Sequence, residues 1–140
     1  MIVDCGIYRD GHRVDEVGAV SGTLDRARSI DGFAWIGLHE PTSEEFAALA
    51  TEFALHELLV EDALKAHQRA KVERYEDVHF VVLKTAAYQN PDVAVIGEIQ
   101  FIVGPGFLIT IRHGHASPLA EVRKHLERDA RLLSLGPPAV

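Results

Sequence analysis

The stretch that most constrains this chain is His56 to Thr85, HELLVEDALKAHQRAKVERYEDVHFVVLKT. Its first part is a helix. Leu59, Val60, Ala63 and Leu64 make one apolar stripe, the mark of a helix packed on something. Glu61 stands four residues before Lys65, a favourable pair on a wet face. The stripe ends near Ala66, and the basic residues Arg69 and Lys71 surround the stop. From Val78 to Leu83 the spacing changes to that of a strand. Val78, Phe80 and Val82 face one way, and Val81 and Leu83 the other. A strand apolar on both sides is expected to be covered on both sides.

The rest of the chain supplies partners for this unit. Ile2 to Val17 alternates loosely around Asp10-Gly11, a hairpin signal between two short strands. Residues 21–30 form a short helical or irregular segment that Asp31-Gly32 breaks. FAWIGL at 33–38 is a strand. Thr42 and Glu45 make a capping box, so a helix starts at Ser43. Phe46, Leu49, Ala50 and Phe53 form its buried face, and it runs to about Ala54. A second helix covers 56–66. Strands follow at 78–88, 94–103 and 107–112, with loops at Asn90-Pro91-Asp92 and Gly104-Pro105-Gly106. Ser117-Pro118 caps one last helix striped by Leu119, Val122, Leu126 and Leu133. The order implies an α/β or α+β fold: a mixed sheet, partly antiparallel, sandwiched by helices on both faces (α–β–α). The unit 33–88 is long enough to contain a parallel crossover.

Composition narrows function more than fold. At 140 residues the chain is one domain by length. Its net charge of −7 argues against direct binding to nucleic acid or to an anionic membrane face. Cys5 is the single cysteine, so no internal disulfide can form, and it fits a small buried hydrophobe in a strand. No basic region with an apolar run opens the chain. No run approaches the roughly 20 apolar residues that span a bilayer.

Several constellations fail on chemistry. His56-Glu57 begins a zinc-protease helix, but position 60 is Val, so the second ligand is missing. His113-Gly114-His115 has no third ligand nearby in sequence and fits a loop. His67-Gln68-Arg69 fits a structural turn, with Arg69 expected to pair with a carboxylate or a helix end. Gly104-Pro105-Gly106 lacks the Lys-Ser/Thr ending of a phosphate loop. No Gly-x-Ser-x-Gly elbow and no acid–base pair for hydrolysis is present, so the chain is not expected to be an enzyme. The pair Glu61-Asp62 remains. Magnesium is a hard ion that takes one or two carboxylates and keeps several waters, which such a pair can serve.

The ordered run Glu61-Asp62, His67-Gln68-Arg69, Lys71, Glu73 and Tyr75, followed by the VHFVVL strand, resembles the N-terminal cytoplasmic domain of the CorA family of magnesium and cobalt channels. WIGLHEPTSEEFAALATEFALH resembles the preceding strand–helix segment of that family, and the likeness covers most of 33–128. One departure is Ala70, where the family usually has Pro before the Lys; it bears on the turn geometry. The resemblance implies the same α–β–α domain, acting as the cation-sensing regulatory part of a channel. It implies that Glu61 and Asp62 form half of an inter-subunit site for Mg²⁺, with Co²⁺, Ni²⁺ or Zn²⁺ as alternatives. A neighbouring subunit of a homopentamer would complete that site, and the isolated domain would bind weakly. The family's stalk and two membrane helices, with a Gly-Met-Asn signature, are not in this sequence, whose only Met is Met1. The expectation is therefore a soluble piece of a longer protein at the cytoplasmic face of the cell membrane. A zinc-transporting relative and a stand-alone binding module that has lost transport are the alternatives.

Overall fold

Asp10 and Gly11 both take positive φ, 50° and 79°. That is the turn an Asp-Gly pair favours between two strands, and it joins β1 (Ile2–Arg9) to β2 (His12–Glu16). A Cβ at Gly11 would lie 1.9 Å from the Ala130 carbonyl oxygen, so only glycine lets the two backbones approach this closely. The computed structural model of the chain describes residues 1–16, 20–90, 93–116 and 118–140, the Gln89 side chain apart. Val17, the Pro91-Asp92 loop and the Ser117 cap lie outside the described residues.

The further elements are α1 (Thr23–Ser29), β3 (Phe33–His39), α2 (Ser43–Glu52), α3 (Glu57–Leu64), β4 (Lys71–Tyr75), β5 (Val78–Asn90), β6 (Val93–Gly104), β7 (Phe107–Gly114), α4 (Ala120–Arg128) and α5 (Ala130–Leu133). A short 3-10 turn at Pro137–Ala139 follows. The capping box is complete: Thr42 Oγ1 accepts from the Glu45 amide, and Glu45 accepts from the Thr42 amide. The strands form one seven-stranded sheet in the order β2-β1-β3-β7-β6-β5-β4. All neighbours are antiparallel except β3 and β7. The sheet is thus mixed, as its sequence order implies, but the parallel partner of β3 is the late strand β7 and not β5.

Residue alternation sorts the sheet into two faces. Ile7, Ala34, Ile36, Leu38, Phe80, Val82, Ile102, Ile109 and Ile111 lie against Leu24, Ala27, Phe46, Leu49, Leu59 and Ala63 of the first three helices and Phe53 at the end of α2. The other face holds Tyr8, Phe33, Trp35 and Leu108 under Leu126 and Leu133. Cys5 is buried and free in β1.

Two expectations are corrected here. The last helix is not continuous: it breaks at Asp129, whose carboxylate accepts from the Leu132 amide and starts α5 afresh. The expectation that the Val78–Leu83 strand is covered on both sides also fails on one of them. Phe80 and Val82 are fully buried, but Leu83 is 47% exposed. Val81, Leu83, Phe101 and Val103 line an open apolar groove edged by Pro137, Pro138 and Val140. No helix among the described residues is long and apolar enough to cross a membrane.

Candidate functional site

The acidic pair sits on α3. His56 caps this helix, its Nδ1 accepting from the Leu58 amide at 3.2 Å, which gives this imidazole a structural task. Leu59 and Ala63 point into the core and fix the helix rotation. Glu61 then faces out, its side chain 63% exposed, with Lys65 Nζ at 2.8 Å as the i,i+4 spacing implies. Asp62 turns instead toward β4, and its side chain is only 26% exposed.

The strand β4 explains that turn. Its sequence, KVERY, is mostly charged, lacks an apolar alternation and reads poorly as a strand. Yet residues 71, 73 and 75 share one face by the two-residue period, and α3 covers that face. Lys71 Nζ donates to Asp62 Oδ2 at 2.8 Å and to Glu73 Oε2 at 2.9 Å. Tyr75 Oη donates to Glu73 Oε2 at 3.0 Å and Asp62 Oδ2 at 3.3 Å. The hydrogen bond from Lys71 holds the Asp62 carboxyl below the usual carboxylate range, against the opposing pull of burial. Burial, then the bond to Glu73, pushes the Tyr75 hydroxyl up to about 12. The Lys71 ammonium is raised: burial disfavours its charge, but the two carboxylates outweigh it.

The two candidate ligands therefore diverge. One oxygen of Asp62 is committed to an internal ammonium. Glu61 offers its carboxylate to the outside. Among the described residues no three His, Cys, Asp or Glu side chains converge as a metal centre. A single copy of the chain presents at most one outward carboxylate and the second oxygen of its neighbour, which lies 4.0 Å from Lys65 Nζ.

The turn after α3 is closed by Gln68 and not by Arg69. The Gln68 amide donates to the carbonyls of Asp62 and Lys65, the latter at 2.9 Å, satisfying helix-end acceptors. Arg69 is exposed and forms no ion pair with a described residue. His67 occupies the left-handed region at φ 66°.

A second polar cluster lies further along the sheet, and the sequence reasoning missed it. Glu98 is 3% exposed. It accepts from Lys84 Nζ at 2.5 Å, Gln100 Nε2 at 2.8 Å and the Gln68 amide at 2.9 Å. Burial alone would raise its carboxyl, but these donors outweigh it and hold it below the usual carboxylate range. The available signal was Glu98 and Gln100 standing two apart on the core side of an otherwise apolar strand, with Ile102 next in line. His113 sits opposite Glu98 in β7, and burial pushes its imidazole pKa down. Lys84, Glu98 and His113, with Glu40 and His67, line a cavity of about 320 Å³. His115 is exposed beyond the end of β7.

Three comparisons bear on this arrangement. A match to the family described as CorA-like Mg²⁺ transporter protein spans residues 31–137. The putative metal ion transporter YfjQ of Bacillus subtilis (strain 168) is 30% identical over 104 residues, which are 74% of this chain and 31% of that protein. The chain thus spans about a third of that relative's length. The soluble domain of CorA from Methanocaldococcus jannaschii superposes with a TM-score of 0.58 at 18% identity, covering 100% of this chain and 50% of that one. The ZntB cytoplasmic domain from Vibrio parahaemolyticus RIMD 2210633 gives 0.65 at 14% identity, covering 91% and 50%. Full-length CmaX gives 0.64 at 13% identity, covering 91% and 39%. At these identities the three structures establish a shared fold.

Proposed function

This chain belongs to the family of CorA-like Mg²⁺ transporter proteins, and on that premise we propose that it is the cation-sensing regulatory domain of a divalent-metal channel. The observation that carries this reading is the position of Glu61: an outward carboxylate on α3, next to Asp62, inside the matched span. A hydrated Mg²⁺ binds through one or two carboxylates and keeps its remaining waters. Glu61 and the second oxygen of Asp62 supply such a half-site. A neighbouring copy of the protein supplies the other half.

Lys71 and Tyr75 have a defined part in this reading. They hold Asp62 ionised and fix its rotamer, which leaves its second oxygen 4.0 Å from Lys65 Nζ, the ammonium that an incoming cation would displace. With the site empty, negative faces of adjacent copies repel. The chain's net charge of −7 makes that repulsion general. Bound Mg²⁺ screens it and favours the closed arrangement. The ion shifts the population only by its preference for that arrangement. Affinity in the isolated chain is weak, because half of the ligands belong to the neighbour. Co²⁺, Ni²⁺ and Zn²⁺ compete for the same oxygens, and transport in the presence of each identifies the preferred ion. The domain works at the cytoplasmic face of the membrane.

The test is the double variant Glu61→Ala, Asp62→Ala in the membrane-inserted protein that carries this chain. Transport is followed as Mg²⁺ rises on the sensing side. Closure should require more Mg²⁺ than in the parent. Closure at an unchanged concentration overturns the assignment.

A further inference from the structure

On the opposite face of the sheet from α3, the strands β3 and β7 and the start of α4 enclose a cavity of about 200 Å³. We infer that this cavity binds a small oxyanion of the phosphate type. The inference is independent of the cation reading, since neither Glu61 nor Asp62 takes part.

The first observation is Arg123. It is 7% exposed. Its guanidinium lies 4.0 Å from the centre of the Trp35 ring, and its Nη1 donates to Asp4 Oδ2 and, at 3.4 Å, to the Tyr8 hydroxyl. These contacts fix the plane of the group through one nitrogen. A guanidinium carries five N–H donors in a rigid fork. The Nη2 side borders the cavity, 3.7 Å from where a Cβ on Gly37 would stand.

The second observation is Arg112, which lines the same cavity and forms no ion pair with a described residue. Asp4 also lines the cavity, but Arg13 at 2.7 Å shares it with Arg123. The positive charge of Arg112 is therefore left over, in a chain that is acidic as a whole.

The third observation is Gly37 at the floor. It sits inside the interior strand β3, two residues after the fully buried Trp35 on the same side. Glycine weakens a strand interior and marks places where something approaches the backbone. No turn or positive φ requires it here. Two arginines lining one cavity suit a tetrahedral oxyanion, which can accept from several sides. The chain enters α4 through Leu119, which has no side-chain oxygen for the first-turn amides, and this adds a smaller favourable field.

The experiment titrates inorganic phosphate into the chain against chloride of equal ionic strength, reading the Trp35 indole N–H by NMR. A saturable shift is expected with phosphate and not with chloride. Gly37→Ala puts a methyl on the floor at 3.4 to 3.7 Å from Val3, Arg123 and Thr110, ordinary contact distances, and should abolish the shift. Arg112→Gln should weaken binding roughly tenfold or more. Melting curves check that both variants fold; should Gly37→Ala unfold, Arg112→Gln at the rim decides alone. Vesicles containing phosphatidic acid separate the sources of the group. Binding to them that Arg112→Gln removes assigns a lipid headgroup, and binding of free phosphate alone assigns a soluble ligand. Absence of a saturable phosphate shift, or full affinity retained by Arg112→Gln, overturns the inference.

Discussion

The two faces of the sheet are built from strands of similar apolarity and end up in different states. On one face α1, α2 and α3 cover the sheet from β1 to β5, and its central side chains are fully buried. On the other, α4, α5 and the last 3-10 turn cover β1, β3 and β7 and stop short of β5. The same strand, β5, therefore puts Val82 in a dry core and Leu83 partly in water. Hydrophobicity in a strand says that a face can be covered. It does not say which element covers it.

The difference is measurable. Phe46→Ala on the covered face removes a fully buried ring from a close-packed core. We expect a loss of about 3 to 5 kcal/mol and a correspondingly lower midpoint in a chemical denaturation curve. The loss should be smaller only if the first three helices are loosely docked.

Next comes the polar pair within that covered face. Lys84→Met leaves the Glu98 carboxylate buried without its ammonium. Breaking such a pair costs about 3 to 5 kcal/mol when both partners are buried. Lys84 is partly wet, so roughly 2 kcal/mol is expected by the same measurement. The pH dependence follows with a definite sign. The folded-state pKa of Glu98 lies below its unfolded value, so its contribution is full above the ordinary carboxylate range. It is lost as pH falls through that range toward the folded pKa. Stability of the parent should drop in this acid window more steeply than that of Glu98→Gln, followed by thermal melts at a series of pH values.

At the rim of the covered face the effects shrink. Asp62→Asn weakens the bond to Lys71 at a partly exposed site, where solvent screening limits the cost to about 1 kcal/mol or less. Glu61→Gln should change stability by under about 0.5 kcal/mol, because its pair with Lys65 is exposed. A melting experiment that found the two equal would contradict their different surroundings. An effect as small as that of Glu61→Gln belongs to the open face. Leu83→Thr should fall within about 0.5 kcal/mol of the parent. A loss approaching that of Phe46→Ala would mean that this face is covered in solution, and the comparison would break.

Local signals were legible and distant ones were not. The capping box at Thr42, the Asp-Gly turn at 10–11 and the helical stripe of α3 each depend on residues a few positions apart. All three stand where the sequence puts them. Strand β4 escaped because KVERY faces α3 with polar groups, and an edge strand of this kind carries no apolar alternation. The β3–β7 pairing joins residues about seventy apart and leaves no local trace. The break at Asp129 is a capping event inside a continuous apolar stripe. The acidic pair was legible as a pair, but not its division. Which carboxylate turns inward depends on Lys71 and Tyr75 reaching α3, and that is settled by the packing of α3 on β4. Gln68 closes the helix end where Arg69 was expected, because its amide can donate to two carbonyls at once.

Trp35 is the only tryptophan in the chain, and it lies against both Tyr8 and the guanidinium of Arg123. The molecule thus carries a built-in optical reporter at the seam where α4 meets the sheet. Its emission wavelength and intensity will register any lifting of that helix, with no label attached and no background from a second indole.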